Sequence, residues 1–520
     1  MKKTIFNRPL IIHTVSVFIF LVALAPVWGF LYFPTVDGPA HLYNARIIRE
    51  LLWGDAIIYA PFFNFNQELV PNWTGHLIAV VTGVVLPVWL VEKITVLLIV
   101  AGVPAGIYSL SRAFGALPSW QLLFLLPFLY TITLYLGFFN FMLALALMFF
   151  TLSWMVRWEE LKYPFPKLIL VTTLLYFTHV LAFAIALIFV CCYLSWNSIV
   201  SGKKTLFTRN NFLRLLCFLP GLILTSRFFS SRNMEGFRNQ TEQLPIGTLL
   251  KWLDEGAAFV GLNGAEEVPY TAVFMKAIVI LILIAGVYRI RKKLFRNTAD
   301  CLLIFSFLMM GLYFIIPDGM ASGGFISLRI LLIALAFAAT WLLTVNFPAW
   351  ISLAAALTGI YVSFSTFSYR MEVAAQLNSD ATNYIEVAAA IPSGSVVLPL
   401  NYSQNWLHTN LSGYAGATNN LVLLDNYEAV LEEFPLRWNR DTKPGNLAGN
   451  FTQSLNPVID IANYEVATGV KIDYVIRWVY NQSSKDPVST KTDSLLRMYY
   501  QDTKKIGRGD LFYNRKQEEM

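Results

Sequence analysis

The chain has 520 residues, of which 56% are hydrophobic and only 14% are charged, and its formal net charge at neutral pH is +7. Soluble domains carry about 25% charged residues, so the composition excludes an ordinary soluble enzyme. The basic surplus lies before residue 370, where 25 basic residues face 15 acidic ones, whereas 370–520 holds 14 basic and 17 acidic residues. This distribution fits basic loops on one membrane face and argues against a nucleic-acid partner.

Apolar runs recur through the first 370 positions and predict transmembrane helices. The first run, 10–31, is similar to a signal peptide, but no small-residue cleavage site follows it, so we interpret it as a span. The other ten predicted spans are 94–111, 119–136, 139–156, 167–180, 181–199, 212–227, 271–288, 299–316, 325–343 and 347–366. All four cysteines fall in spans, which indicates apolar packing and gives no disulfide framework or metal motif.

The basic residues also predict the orientation of the chain. Residues 71–90 fit either a span or a helix in the membrane interface, and only the interfacial interpretation places 203–214 and 289–296 on the same side as the basic N-terminus. The segments on that side then hold 16 Lys and Arg against three acids, while the opposite loops before residue 370 hold nine against 12. Since basic loops stay in the cytoplasm, the N-terminus is predicted inside and the C-terminal region outside.

The sequence divides into a predicted transmembrane module, 1–367, and an extracytoplasmic α/β domain, 368–520. In the second part, 391–400 and 471–480 follow turn signals and predict strands, and 379–391 predicts a helix. The segment 405–416 is rich in aromatic and amide residues, which suit either acceptor binding or ordinary loop packing.

The first outer loop, about 32–93, carries the most informative pattern. Pro39 suits the first turn of a helix, with Asp37 near its N-cap, and apolar residues then recur at helical spacing as far as Leu52. This pattern predicts an amphipathic helix along the membrane surface, with His41 on a polar face. Taken alone, Asp37 fits a helix cap or a catalytic acid. His41, one turn later, fits a surface residue or a partner of Asp37.

Other charged residues lie near the predicted span ends, where charge is costly and is usually paired or functional. Arg329 begins a span and either snorkels or binds an anion. Lys93 either pairs with Glu92 or binds an anion, and Arg227 follows a span on the outer side. His179, between two spans, fits a buried hydrogen-bonding residue or a substrate contact.

Two more candidates lie in outer segments. His76 falls on the second predicted surface helix. Asp318 either competes with Asp37 as the base or forms the turn before Gly319. A divalent cation is compatible with these acids and histidines, but no ligand spacing demands one, so we predict no metal ligand.

The sequence DGPAH at 37–41, a D-x-P-x-H motif just after the first span, resembles the GT-C superfamily of membrane glycosyltransferases. Protein O-mannosyltransferases and lipid A aminoarabinose transferases are the most similar in topology. The resemblance implies about 11 to 13 spans, two juxtamembrane helices and, in several members, a soluble outer domain. The chain departs from the family at 70–73, where VPNW stands in place of Lys-Pro-Pro or His-Pro-Pro and the usual cation is missing.

The resemblance implies an inverting transfer of a sugar from a polyprenyl-phosphate-linked donor to a lipid, glycan or protein hydroxyl at the outer face, in a bacterial inner membrane. The implied roles are base and its partner for Asp37 and His41, donor phosphate binding for Arg329, Lys93 and Arg227, and substrate binding for His179, His76 and Asp318. A transporter or lipid flippase is the alternative, but it usually needs charges near the middle of its spans. A non-catalytic scaffold with the same fold also stays open.

Overall fold

A computed structural model of the chain describes residues 9–54, 57–202, 208–230, 243–291, 296–319, 323–444, 459–479 and 487–514. The chain forms two compact units. The first unit comprises Met1–Trp28, Val96–Leu134 and Phe139–Glu372, and the second comprises Gly29–Thr95, Tyr135–Phe138 and Val373–Met520. The first outer loop thus belongs to the same unit as the C-terminal region. The predicted domain boundary at residue 367 stays a prediction.

The described residues include seven helical segments that are long and apolar enough to cross a membrane: Val88–Ala113, Phe139–Val156, Val180–Ser201, Arg209–Ser230, Gly264–Arg291, Ile326–Thr344 and Ala349–Ala388. Four shorter apolar helical segments cover Pro9–Ala23, Trp120–Tyr135, Pro164–Thr178 and Asp300–Ile315. The protein is therefore an integral membrane protein, because its apolar helices satisfy their own backbone groups. The count of 11 spans stays a prediction.

Two of the predicted spans are irregular, and proline explains both. Residues 120–129 form a 3₁₀ helix around Pro127, followed by the short helix Ile132–Tyr135. The predicted span 212–227 consists of the helices Arg209–Leu216 and Leu219–Ser230. Pro220 causes this break, since its ring clashes with the carbonyl four residues earlier, where the first helix ends.

The described residues up to 388 also include short helical elements at Ala25–Trp28, Trp158–Glu160, Ile246–Glu255 and Ala257–Phe259. The segment Ala349–Ala388 consists of two longer helices, Ala349–Ser365 and Phe367–Ala388. The helix predicted at 379–391 therefore begins 12 residues earlier than expected, because helical periodicity continues through the polar sequence after the last span.

The second unit contains a five-stranded sheet and a two-stranded sheet. The strands are β1 (Phe63–Phe65), β2 (Val396–Asn401), β3 (Val422–Leu423), β4 (Leu436–Trp438), β5 (Tyr474–Trp478), β6 (Asp502–Ile506) and β7 (Gly509–Tyr513). The large sheet has the order β3-β2-β5-β7-β6, in which β2 is parallel to β3 and β5 while β7 is antiparallel to β5 and β6. β1 pairs with β4, with Phe63 opposite Trp438.

The parallel strands β2 and β5 form the centre of the sheet. Val397 is paired with Tyr474 and Asn401 with Trp478. The side chains of β5 are all buried, and so are those of β2 except Asn401. Such strands have a nearly continuous apolar sequence because both of their faces are covered, which is why 391–400 and 471–480 were recognisable as strands.

Seven helical elements accompany the sheets. They are α1 (Gly38–Trp53), α2 (Thr74–Thr82), Trp406–His408, α3 (Gly413–Thr418), Glu428–Val430, Ile461–Thr468 and Pro487–Tyr499. The sequence left His41 as either a surface residue or a partner of Asp37, and the structure excludes the surface position. His41 and Asn44 are buried, because residues of the C-terminal region cover that face of α1.

Gly413 brings α3 into backbone contact with α1. A Cβ atom on Gly413 would lie 2.4 Å from both the carbonyl carbon and the oxygen of Pro39. Such a contact with backbone cannot be relieved by rotating a side chain. The first turn of α1 therefore depends on the absence of a side chain at position 413.

We expect Gly413→Ala to destabilise the protein by about 1–3 kcal/mol and to lower its melting temperature, because the two helices must separate. Gly247→Ala is the matched control, since a Cβ there meets no atom within 4 Å and alanine favours the helix. Thermal unfolding in detergent measures both. Equal melting temperatures for the two variants would contradict the packing argument.

Candidate active site

Asp37 occupies the N-cap position of α1, but its side chain accepts no capping hydrogen bond. The cap comes instead from Thr35, whose Oγ1 accepts a hydrogen bond of 3.1 Å from the backbone N–H of Gly38. Capping by a side-chain oxygen normally satisfies the unpaired N–H groups at a helix start. Because Thr35 provides the cap, the Asp37 carboxylate makes its contacts outside the helix end.

The Asp37 carboxylate is held by two residues from the C-terminal part of the chain. The Nδ2 of Asn410 donates to Oδ1 of Asp37 over 3.1 Å. The Tyr427 hydroxyl also hydrogen-bonds to Asp37, and burial together with the charges of Asp37 and Glu428 raises the pKa of this phenol well above its usual value. The phenol therefore stays protonated and donates, so the carboxylate has a fixed direction.

The backbone of Asp37 is fixed by the segment Tyr135–Phe138. The N–H of Val36 donates to the carbonyl of Tyr135 over 2.9 Å. Gly137 has a φ of +79°, and a Cβ atom there would lie 2.5 Å from the backbone nitrogen of Asp37. Only glycine allows both this conformation and this close approach.

One turn after Asp37, His41 faces a buried carboxylate. Its Nδ1 lies 2.5 Å from Oε1 of Glu428, and the Nε2 of His76, on α2, lies 2.9 Å from Oε2 of the same residue. Asn44 donates from Nδ2 to Oε2 of Glu428 over 2.8 Å. Phe434 covers both imidazoles, with ring centroids 6.2 Å from His41 and 5.9 Å from His76. We call His41, His76 and Glu428 the histidine–glutamate cluster.

The charges of this cluster stabilise one another. Burial alone would raise the pKa of Glu428, but His41 and His76 outweigh it and hold that pKa at about 2. Burial alone would lower the pKa of His41, but Glu428, with a smaller contribution from Asp37, raises it to about 9. Without a bound cation, His41 is therefore charged at neutral pH and Glu428 is ionised.

The polar residues 425–428 begin one residue after the end of strand β3. Ser412 donates from Oγ to Oδ2 of Asp425 over 2.5 Å, and burial nevertheless raises the pKa of Asp425 to about 7. Asn426 donates to Asn44 over 2.9 Å. Ligand sites of α/β folds commonly lie at the carboxyl ends of parallel strands, and β3 delivers Tyr427 and Glu428 in this way.

The sequence prediction missed Glu428, Tyr427 and Asn410. A signal was present, because the sequence LVLLDNYE at 421–428 has an apolar run followed at once by four polar residues. Asn410 lies within 405–416, where acceptor binding or loop packing was expected. The structure shows packing at Gly413 and a contact with Asp37 at Asn410.

Among the other predicted residues of this unit, Lys93 lies on Val88–Ala113 with its ammonium 5.5 Å from the centroid of the Trp89 ring. The carboxylate of its neighbour Glu92 accepts from the Phe33 N–H over 3.0 Å and from the Tyr414 hydroxyl. The structure thus ties Glu92 to residues of the second unit.

Arg329 and His179 lie together in the membrane unit. Nη1 of Arg329 is 3.3 Å from Nε2 of His179, and the guanidinium carbon is 5.5 Å from the centroid of the Phe141 ring. His179 is extended between the helices Pro164–Thr178 and Val180–Ser201, and its Nδ1 accepts from the N–H of Leu181 over 3.3 Å. Arg329 and His179 are therefore hydrogen-bonding neighbours in the first unit.

The last two predicted residues lie elsewhere in the membrane unit. Asp318 is buried, and its Oδ1 accepts from the N–H of Ser327 over 2.9 Å at the start of Ile326–Thr344. This is a capping contact. Arg227 lies exposed in the last turn of Leu219–Ser230.

No protein-family model matches this chain, and no curated protein matches it in sequence. Among solved structures, it is similar to the crystal structure of ArnT from Cupriavidus metallidurans bound to undecaprenyl phosphate, with a TM-score of 0.52 and 11% identity over 97% of each chain. Arabinofuranosyltransferase AftD from Mycobacteria gives a TM-score of 0.47 and 12% identity, over 90% of this chain but only 35% of that chain.

The likeness to ArnT defines the class of fold. The chain shares its fold with ArnT, as the resemblance of the D-x-P-x-H motif and the span pattern led us to expect. Because the identity is only 11%, the likeness establishes architecture, and activity must be argued from the residues themselves.

Proposed function

We propose that this protein is a glycosyltransferase that moves a sugar from a polyprenyl-phosphate carrier to an acceptor hydroxyl at the outer face of the membrane. The observation that carries the proposal is the position of the Asp37 carboxylate. Thr35 caps α1 in place of Asp37, and Asn410 and Tyr427 orient the carboxylate. The GT-C fold supports it, and the solved ArnT structure contains undecaprenyl phosphate.

In this mechanism, Asp37 accepts the proton of the acceptor hydroxyl while that oxygen forms a bond to the anomeric carbon of the sugar. The bond between the anomeric carbon and the phosphate oxygen breaks, and its electron pair leaves with the polyprenyl phosphate. A single displacement of this kind inverts the anomeric configuration. Asn410 and Tyr427 hold the carboxylate towards the incoming hydroxyl, which reduces the entropy lost in reaching the transition state.

The leaving phosphate needs positive charge or hydrogen-bond donors as the bond breaks. We propose Lys93, Arg329 and Arg227 as the cations. Arg329 has the strongest case, since its guanidinium contacts His179, the residue predicted to contact the substrate. For an alanine variant of a cation that contacts only the phosphate, we expect a higher KM for the lipid-linked donor.

The reaction itself is tested with purified protein, a radiolabelled polyprenyl-phosphate sugar and a membrane extract as the acceptor source. We expect the label to move to the acceptor with inversion and free polyprenyl phosphate to accumulate. A flippase would move the intact lipid between leaflets of a vesicle without releasing sugar, and that result would replace the proposal.

The proposal also requires the C-terminal region to lie outside the cytoplasm. With alkaline phosphatase fused after residue 520 and expressed in a bacterium, we expect high phosphatase activity, whereas a fluorescent protein fused at the same point should stay dark. The reverse pair of readouts would place Asp37 on the cytoplasmic face and remove the outer-face reaction.

A further inference from the structure

The histidine–glutamate cluster has no role in the mechanism above. Its geometry constrains where the hydrogens of the two imidazoles lie. All three side chains are buried, and one potential ligand atom from each lies within 4.8 Å of the other two. Nδ1 of His41 faces Oε1 of Glu428, while Nε2 of His76 faces Oε2. The same carboxylate is thus shared between two imidazoles.

The outer nitrogen of each imidazole determines where its hydrogen lies. Nε2 of His41 is 3.0 Å from the carbonyl oxygen of Gly137, and Nδ1 of His76 is 3.2 Å from that of Asn72. A carbonyl oxygen only accepts hydrogen bonds, so both outer nitrogens donate. A neutral imidazole carries one N–H, and the two inner nitrogens would therefore direct lone pairs at the Glu428 carboxylate.

Lone pairs on nitrogen and on a carboxylate oxygen repel one another at 2.5 and 2.9 Å. Positive charge between the imidazoles and the carboxylate removes this repulsion, and either protons or one divalent cation can supply it. The ring centroids of His41 and His76 are 5.1 Å apart, so charging both imidazoles would bring like charges close together in a low dielectric, which is costly. One divalent cation uses all three lone pairs and leaves both imidazoles neutral.

We propose that His41, His76 and Glu428 bind a divalent transition-metal ion of the zinc class. Two histidines and one glutamate form a ligand set of catalytic zinc sites, in which a fourth position stays open. The carbonyls of Gly137 and Asn72 accept from the outer imidazole nitrogens, as is usual around metal-bound histidines. Nitrogen ligands disfavour calcium and magnesium, which prefer oxygen.

The distances between the potential ligand atoms suit a metal ion if the side chains shift slightly. With zinc–ligand bonds of about 2.0–2.1 Å, tetrahedral ligand atoms lie about 3.3 Å apart. The two contacts with Glu428, 2.5 and 2.9 Å, are shorter than this spacing, and the three ligand atoms all lie within 4.8 Å of one another, so the side chains must adjust as the ion enters. Asn44, which donates to Oε2 of Glu428, keeps the carboxylate directed at the two imidazoles.

The test uses the full-length protein in detergent, stripped with a chelator, reloaded with zinc chloride and desalted, with metal counted by mass spectrometry. We expect one zinc ion per chain in the wild type and a loss of about tenfold or more in His76→Asn and Glu428→Gln. His408→Asn should keep its zinc. It is the matched control, because His408 is equally buried and pairs with Asp380 at 3.1 Å outside the cluster.

A second readout does not depend on any variant. Zinc should raise the melting temperature of the stripped wild type, and cobalt loading should give the visible absorption of a four-coordinate nitrogen and oxygen site. Wild-type protein that retains no zinc after reloading, or cluster variants that retain as much as the wild type, would overturn the proposal. Both readouts are independent of sugar transfer, so the metal site stands or fails separately from the proposed function.

Discussion

Asp37→Asn is expected to reduce the rate of sugar transfer by about a thousandfold, since a positioned general base contributes about 10²–10⁴ to rate. The amide still accepts a hydrogen bond from Asn410, so the side chain keeps its place while losing its basicity. We therefore expect kcat to fall while the KM for the donor and the melting temperature stay close to their wild-type values.

The matched control for this variant is Asp460→Asn. Asp460 is also an aspartate at a helix start, but its Oδ1 accepts from the N–H of Asn463, which an asparagine oxygen can replace. Full activity in Asp460→Asn together with near-complete loss in Asp37→Asn would separate catalysis from capping. A rate for Asp37→Asn within a fewfold of wild type would remove Asp37 from the base role.

Glu428→Ala is expected to produce the largest loss of stability. It removes the acceptor of two imidazoles and of Asn44, all buried. Removing one partner of a buried ion pair costs about 3–5 kcal/mol, because the remaining charge stays uncompensated. For a unit of this size the cost corresponds to a melting temperature lower by about 10 °C. The expectation holds with either protons or a metal between the three side chains.

Glu432→Ala provides the comparison, because Glu432 lies four residues later and is exposed. Substitutions at such positions usually change stability by less than about 0.5 kcal/mol. Thermal unfolding in the same detergent, followed by intrinsic fluorescence, compares the two variants. If Glu428→Ala melts within a degree or two of Glu432→Ala, the cluster contributes little to the stability of the second unit.

The apolar helices were predictable because a membrane imposes a simple requirement on sequence. Residues 139–156 were predicted as a span and form the helix Phe139–Val156. The predictions were less accurate at 119–136 and 212–227, where proline interrupts a regular helix within an apolar run. Hydropathy measures whether a segment suits lipid, and it is insensitive to such local changes of backbone geometry.

The candidate site was less predictable from the sequence than the apolar helices. The motif at 37–41 identified Asp37, and helical spacing predicted that His41 would lie one turn later. No local pattern could join these residues to Asn410 or Glu428, which lie more than 360 positions away along the chain. Such contacts arise only when the C-terminal region folds against α1, so the sequence left open whether His41 is a surface residue, whereas the structure shows it buried.

Composition and hydropathy predicted the membrane character of the chain, and apolar runs after turn signals predicted the buried strands. The motif at 37–41 indicated a resemblance to the GT-C superfamily, and the chain shares the fold of ArnT. The tertiary structure decided what individual polar residues do. Thr35 caps α1 and Asp37 contacts Asn410, while Asp318 caps another helix. The role of a carboxylate depends on the groups that donate hydrogen bonds to it, and these groups belong to residues that only folding brings near.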